Sequence, residues 1–189
     1  MTAIVGLVDK GTVYMGGDSC AGDAQSCLKT RMKHPKVFRK GEFIIGYTSS
    51  FRMGQLLECE LTPPEMPENI TLYDYMVRLF VPALRGCLKG GGFAKVENNV
   101  EEGGTFLVGI RECLFEIQSD YSVLDHASEY MACGCGREYC LGSLHSTHGW
   151  QPKDRIIAAL TAAAEYNAYV MSPFTVESLE FKGGVPPDA

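Results

Sequence analysis

Two groups of residues in this 189-residue chain are of types that could do chemistry. The first is Thr2, directly behind the initiator methionine and at the head of an apolar run, Ala3 to Val8. If Met1 is removed, Thr2 carries both a hydroxyl and a free amine at the tip of a buried strand. A hydroxyl nucleophile needs a base, and an α-amino group, whose ordinary pKa is about 8, is one of few groups that can serve at neutral pH. The second group is Cys133, Cys135, Cys140, His145 and His148, whose ligand types suit zinc. Their spacing is not a paired C-x-x-C arrangement, and Cys133 falls in a predicted buried strand. No cofactor is therefore expected, with zinc kept as the alternative.

Other motifs are weaker. The glycine clusters at 90–92 and 103–104 lack the strand, Lys-Ser/Thr and helix of a phosphate loop. There is no G-x-S-x-G for a serine-triad hydrolase, and His34 and His126 fall in predicted loops.

The elements that must position Thr2 can be read from periodicity. Ala3 to Val8 and Thr12 to Met15 form a hairpin that closes on Gly16, Gly17 and Asp18. A polar stretch to Pro35 reads as loop. Strands follow at 36–40 and 43–48, then a helix over 51–59 capped by Ser50. The prolines at 63, 64 and 67 make 61–69 a loop. Thr71 caps a helix to about residue 89, with an apolar stripe from Leu72 to Cys87 and an expected kink at Pro82. Further strands are expected at 105–110, 113–119 and 130–133, helices at 137–145 and 152–168, and a last strand at 175–181. Residues 156, 157, 160, 163, 164 and 167 share one face of the second of these helices. Hairpins at both ends with paired helices between predict an α+β fold, two antiparallel sheets face to face with helices outside. One domain over 1–189 is expected, with a frayed tail at 182–189.

Composition excludes several classes. A net charge of −6 with no basic run offers no phosphate footprint, so no nucleic acid is expected. No apolar run is long enough to span a membrane, and no export signal precedes the first strand, so a cytoplasmic protein with reduced thiols is expected.

The segment from Thr2 to Ser19, TAIVGLVDKGTVYMGGDS, resembles the start of proteasome β-type subunits and of HslV-type peptidases. These are N-terminal nucleophile hydrolases in which a Thr begins the mature chain and an Asp follows sixteen residues later, as Asp18 does here. Residues 36–50, KVFRKGEFIIGYTSS, resemble the family's Lys, strand and Gly-containing turn into a helix. Ala132-Cys133-Gly134-Cys135-Gly136 is similar to its Ala-aliphatic-Gly-Ser-Gly segment. Residues 162–179 resemble the helix-to-strand segment that carries an acidic residue, here Glu165.

The resemblance implies a four-layer αββα sandwich and a threonine endopeptidase. Thr2 would attack a peptide carbonyl, its amine would relay the proton, and water would hydrolyse the acyl-enzyme. Lys36 would lower the pKa of the hydroxyl by opposite charge and of the amine by like charge. Lys29, Lys33 and Lys40 are rivals for that place, Lys33 the main one. Asp18 would hold the lysine, Glu165 would supply the distal carboxylate, and the Thr48 amide, after the Gly46 turn, would meet the oxyanion. Cys135, whose thiol is a weaker hydrogen-bonding group than a hydroxyl, stands where the family has Ser. With Met1 attached Thr2 has no free amine and this mechanism cannot run. The resemblance further implies a homo-oligomeric ring, unfolded polypeptide as substrate and an ATP-driven unfoldase as a possible partner. It extends to standalone proteasome-like proteins of bacteria and phages. A catalytically silent assembly subunit is the alternative.

Overall fold

The computed structural model describes residues 2–23, 28–93, 95–97 and 100–181. In chain order the elements are β1 (Ala3–Asp9), β2 (Thr12–Gly17), β3 (Cys20–Asp23), β4 (Leu28–Arg31), β5 (Val37–Lys40), β6 (Phe43–Tyr47) and α1 (Phe51–Cys59). There follow α2 (Leu72–Tyr75), a π-helical turn (Met76–Phe80), α3 (Val81–Gly90), β7 (Lys95–Glu97), β8 (Val100–Glu102), β9 (Phe106–Ile110) and β10 (Cys113–Ile117). The chain ends through β11 (Val123–Asp125), β12 (Tyr130–Gly134), α4 (Arg137–Ser146), α5 (Pro152–Tyr166) and β13 (Thr175–Glu180).

Strand β1 is buried from Ala3 to Leu7 rather than alternating, because its sheet is covered on both faces. Ala3, Val5 and Leu7 pack under α4 and α5 with Ala132, Leu144, Ile156 and Leu160. Ile4 points the other way, into a layer with Val13, Met15, Val37, Ile44 and Leu107. That layer lies between two antiparallel sheets of order β12-β1-β2-β13 and β11-β10-β9-β6-β5. On the far side of the second sheet, Phe43, Ile45 and Tyr47 meet Met53, Leu56, Tyr75, Phe80 and Leu84 of α1 to α3. Three apolar layers thus separate four structural ones, the αββα sandwich expected from the sequence. Gly46 permits the close approach of the sheets: a Cβ there would lie 2.5 Å from Ile4 Cγ2 and 2.7 Å from Met15 Sδ.

Local departures have physical causes. The expected loop after Asp18 contains the β3–β4 hairpin, whose second strand is exposed throughout and so carries no apolar alternation. The expected loop at 90–104 contains the β7–β8 hairpin, and β11, an edge strand of the second sheet, is too short to show a period. Where a kink is expected at Pro82, the chain instead forms a π-helical turn just before it, in which the Val81 N–H reaches back to Met76 O. Ile157 is exposed. Arg155 takes the buried place, donating through Nη2 to Leu144 O at 2.9 Å and lying over the Tyr130 ring. Met1, Cys27 and the expected frayed tail at 182–189 lie outside the described residues. Among the described residues no helix is long and apolar enough to cross a membrane.

Candidate active site

Pairing register brings the site together. Ala3 pairs with Gly134 and Ile4 with Gly17. One step further along each ladder, Thr2 stands opposite Cys135 and Ala3 beside Asp18. The Ala3 N–H donates to Asp18 Oδ1 at 3.1 Å and the Asp18 N–H to Ala3 O at 3.3 Å. Both residues lie at the end of the first sheet, and both are buried.

Lys36 arrives from the other sheet. It immediately precedes β5, and its carbonyl accepts from the Tyr47 N–H, which fixes its backbone to the second sheet. Its side chain, fully buried, crosses the interface. The Nζ donates to Thr2 Oγ1 at 2.8 Å, Asp18 Oδ1 at 2.9 Å and Cys20 O at 2.6 Å. All three ammonium protons are used, so the buried cation is both paired and saturated. Asp18 is held in turn by the Cys20 N–H on Oδ2 at 2.7 Å. Lys29 and Lys33 are exposed, and Lys40 Nζ donates to Glu58 O. Of the four lysines, Lys36 is the one at Thr2.

The backbone nitrogen of Thr2 faces Cys135. It donates to Cys135 Sγ at 3.2 Å, and Sγ lies 3.5 Å from both Thr2 O and Asn167 Oδ1. Asn167 is fixed by donating Nδ2 to Cys135 O at 2.7 Å and by accepting from the Tyr169 N–H at 2.9 Å. The expected Glu165 is not part of this set: it is exposed on the last turn of α5. Because α5 ends at Tyr166, the residue that turns back toward β12 is its C-cap, Asn167. The sequence held a sign of this, since Asn167 is the single polar residue on the apolar face read for that helix.

The expected oxyanion amide is also displaced. The Thr48 N–H donates to Thr105 O at 3.1 Å, which extends the β6–β9 ladder by one residue and consumes that donor. Gly46 lies inside β6, where it serves sheet packing and not the reacting carbonyl. Ser49, next along, is left-handed at φ 63° and turns the chain into α1. Residues 47–52 line a cleft of about 400 Å³ with Thr2 and Gly22. Gly134 has φ 91°, and a Cβ there would lie 2.2 Å from Thr2 O, so no other residue fits against the Thr2 backbone.

No protein-family model matches the sequence, and no curated protein matches it. Solved structures do match. BPH from Thiobacillus denitrificans superimposes with a TM-score of 0.78 at 17% identity, covering 97% of this chain and 100% of that one. HslV from Trypanosoma brucei gives 0.67 at 18%, covering 95% and 99%. Anbu from Yersinia bercovieri gives 0.66 at 14%, covering 95% and 82%. The chain thus has the proteasome-like fold of these proteins.

Within this proteasome-like fold the cysteine and histidine cluster is dispersed. Cys133 points into the layer between the sheets, Cys140 into the layer under the helices, and Cys135 toward Thr2. His145 meets the Tyr130 hydroxyl at 3.4 Å, and His148 is exposed. Among the described residues no three His, Cys, Asp or Glu side chains come together as a metal site. Burial pushes the Cys133 thiol well above its ordinary range and the Cys140 thiol up to about 12, as expected of structural thiols. Burial, then the nearby Asp18 carboxylate, also raises the Cys20 thiol, so what Cys20 supplies at the site is its backbone.

Proposed function

We propose that this chain is a threonine peptidase that hydrolyses peptide bonds through Thr2 once Met1 has been removed. The observation that carries the reading is the saturated Lys36 ammonium 2.8 Å from Thr2 Oγ1. A cation there stabilises negative charge developing on the oxygen as it attacks, without having to reorganise. The Thr2 amine takes the hydroxyl proton and returns it to the leaving nitrogen, and Cys135 with Asn167 orients that amine. We assign the oxyanion donor to the backbone N–H of Ser49, the residue that follows the last laddered amide and lines the same cleft as Thr2. One such donor contributes about 3–4 kcal/mol to the transition state.

The same reading places copies of the chain in a ring, in the cytoplasm, with Thr2 facing an enclosed chamber that admits unfolded polypeptide delivered by an ATP-driven partner. The likeness to HslV and BPH supports it. A silent assembly subunit is the second reading, favoured by the weak Sγ contacts at 3.5 Å around Cys135.

BPH is found in complex with epoxomicin, which supplies the probe. Wild-type protein lacking Met1 should gain one epoxomicin mass at Thr2, and Thr2→Ala should gain none. An adduct that survives Thr2→Ala, or no adduct on protein shown to lack Met1, contradicts the proposal.

A further inference from the structure

Strand β10 carries a charge where its pattern calls for an apolar residue. Leu114, on the same face two residues earlier, belongs to the layer between the sheets, yet the next inward residue is Glu116. Its side chain is 2% exposed. Burying a carboxylate is costly unless its oxygens are paired. Here Oε1 lies 3.5 Å from Arg137 Nη1, a long contact, and Oε2 has no hydrogen-bond partner among the described residues, with His126 Nε2 at 3.6 Å. Such a locally unfavourable placement points to use rather than to packing.

Its surroundings give the use. Glu116 lines a cleft of about 580 Å³ with Thr48, Ser49, Cys135, Arg137 and Glu138. That cleft shares Thr48 and Ser49 with the one that Thr2 lines, so the two adjoin along these residues. They differ in side. The first cleft runs along residues 47–52, whereas the second runs along Cys133 to Cys135, where the Thr2 nitrogen points. The amine must face the leaving nitrogen to protonate it, so the second cleft lies on the leaving-group side of the scissile bond.

We infer that Glu116 is a specificity residue that selects a Lys or Arg side chain on the leaving-group side of the scissile bond. A guanidinium or ammonium entering the cleft satisfies Oε2 in a setting with little water to compete. Arg137, more than a third exposed at the mouth, is the resident cation that the substrate displaces. Glu138 adds a second carboxylate to the lining. The sidedness rests on Thr2 being the nucleophile, while the charge preference does not.

The test separates the two. Affinities of a short fluorescent peptide bearing one Arg, and of its citrulline twin, are measured on Thr2→Ala protein, which binds without cutting. The Arg peptide should bind about tenfold tighter. Adding Glu116→Gln should erase that difference, and adding Arg137→Gln at the exposed mouth should enlarge it. Equal binding of the twins in the Thr2→Ala protein, or a preference that survives Glu116→Gln or is unmoved by Arg137→Gln, overturns the inference. Sidedness is read on wild type by mapping cuts in an unfolded protein: cuts should fall before Lys and Arg. Cuts falling after them, or indifferent to them, overturn the assignment. Absence of any cutting overturns the proposed function, and the binding result still decides the charge preference.

Discussion

Lys36 and Asp18 meet across the sandwich, one from each sheet, with Nζ to Oδ1 at 2.9 Å and both side chains fully buried. The cation beside Thr2 therefore reaches its place only when the two sheets have packed. A buried ion pair contributes little net stability when intact, but losing one partner strands the other charge. Asp18→Asn should lower unfolding free energy by about 3–5 kcal/mol, read from urea midpoints. A shift under about 1 kcal/mol, the size expected of an exposed pair, would contradict the buried pairing.

Lys36→Met keeps much of the buried volume and removes the charge. Peptide hydrolysis should fall by about 10²–10³, the scale of a lost electrostatic donor, mainly in kcat. The Thr2 hydroxyl does not depend on Lys36 for substrate contacts, so KM should change little. An unchanged kcat would remove Lys36 from the mechanism.

Asn167 and Glu165 make a paired comparison on one helix end. Asn167→Ala frees Cys135 and with it the Thr2 nitrogen, a misplacement that should cost up to about 10²-fold in kcat. Glu165→Gln, at an exposed position, should leave both activity and stability within about 0.5 kcal/mol of wild type. The reverse ranking would restore the carboxylate that the sequence suggested.

A hydroxyl is a better donor and acceptor than a thiol. Cys135→Ser should therefore raise kcat by about two- to tenfold, the worth of one improved hydrogen bond. Cys135→Ala should lower it. If serine and alanine behave alike, position 135 does not orient the amine.

Alkaline pH tests the packing of both helix layers. Burial pushes Tyr47, Tyr75 and Cys140 up to about 12, from ordinary values of 10.0 for the tyrosines and 9.0 for the cysteine; Glu58 adds to the rise for Tyr47. Above those ordinary values the unfolded chain has released protons that the folded chain still holds. Stability is thus fully present below about pH 9 and falls as pH rises toward 12, by up to about 1.4 kcal/mol per pH unit for each group titrating only in the unfolded state. Urea midpoints that stay level from about pH 10 to 12 would mean that these groups are not buried as described.

Much of this site was legible because it is carried by strand ends. A run such as Ala3 to Val8 fixes a strand, and the residues at its tip and at the tips of its neighbours must converge, which brought Thr2, Asp18 and Cys135 together. Lys36 was legible once the strand after it was placed, although spacing alone left Lys33 as its rival. Glu165 was misplaced by a boundary shift of two residues, since the final turn of α5 stops at Tyr166. Thr48 was read inside its strand, but the bond from its N–H to Thr105 O, which takes the amide away from the cleft, exists only once that strand has paired with β9. Periodicity locates the middle of an element well, but its ends depend on caps and ladder bonds formed in three dimensions. Glu116 had no signal in this sense, because a single carboxylate in an apolar strand reads as an exposed residue until the sheet above it is known.

The central claim is that the Thr2 hydroxyl, with a free amine beside it, cuts peptide bonds. The most direct measurement is peptide hydrolysis by protein whose intact mass shows Met1 to be absent, set beside Thr2→Ala prepared in the same way. Hydrolysis by the first and none by the second is predicted. Equal hydrolysis by both, or none by Met1-free wild type, would contradict it.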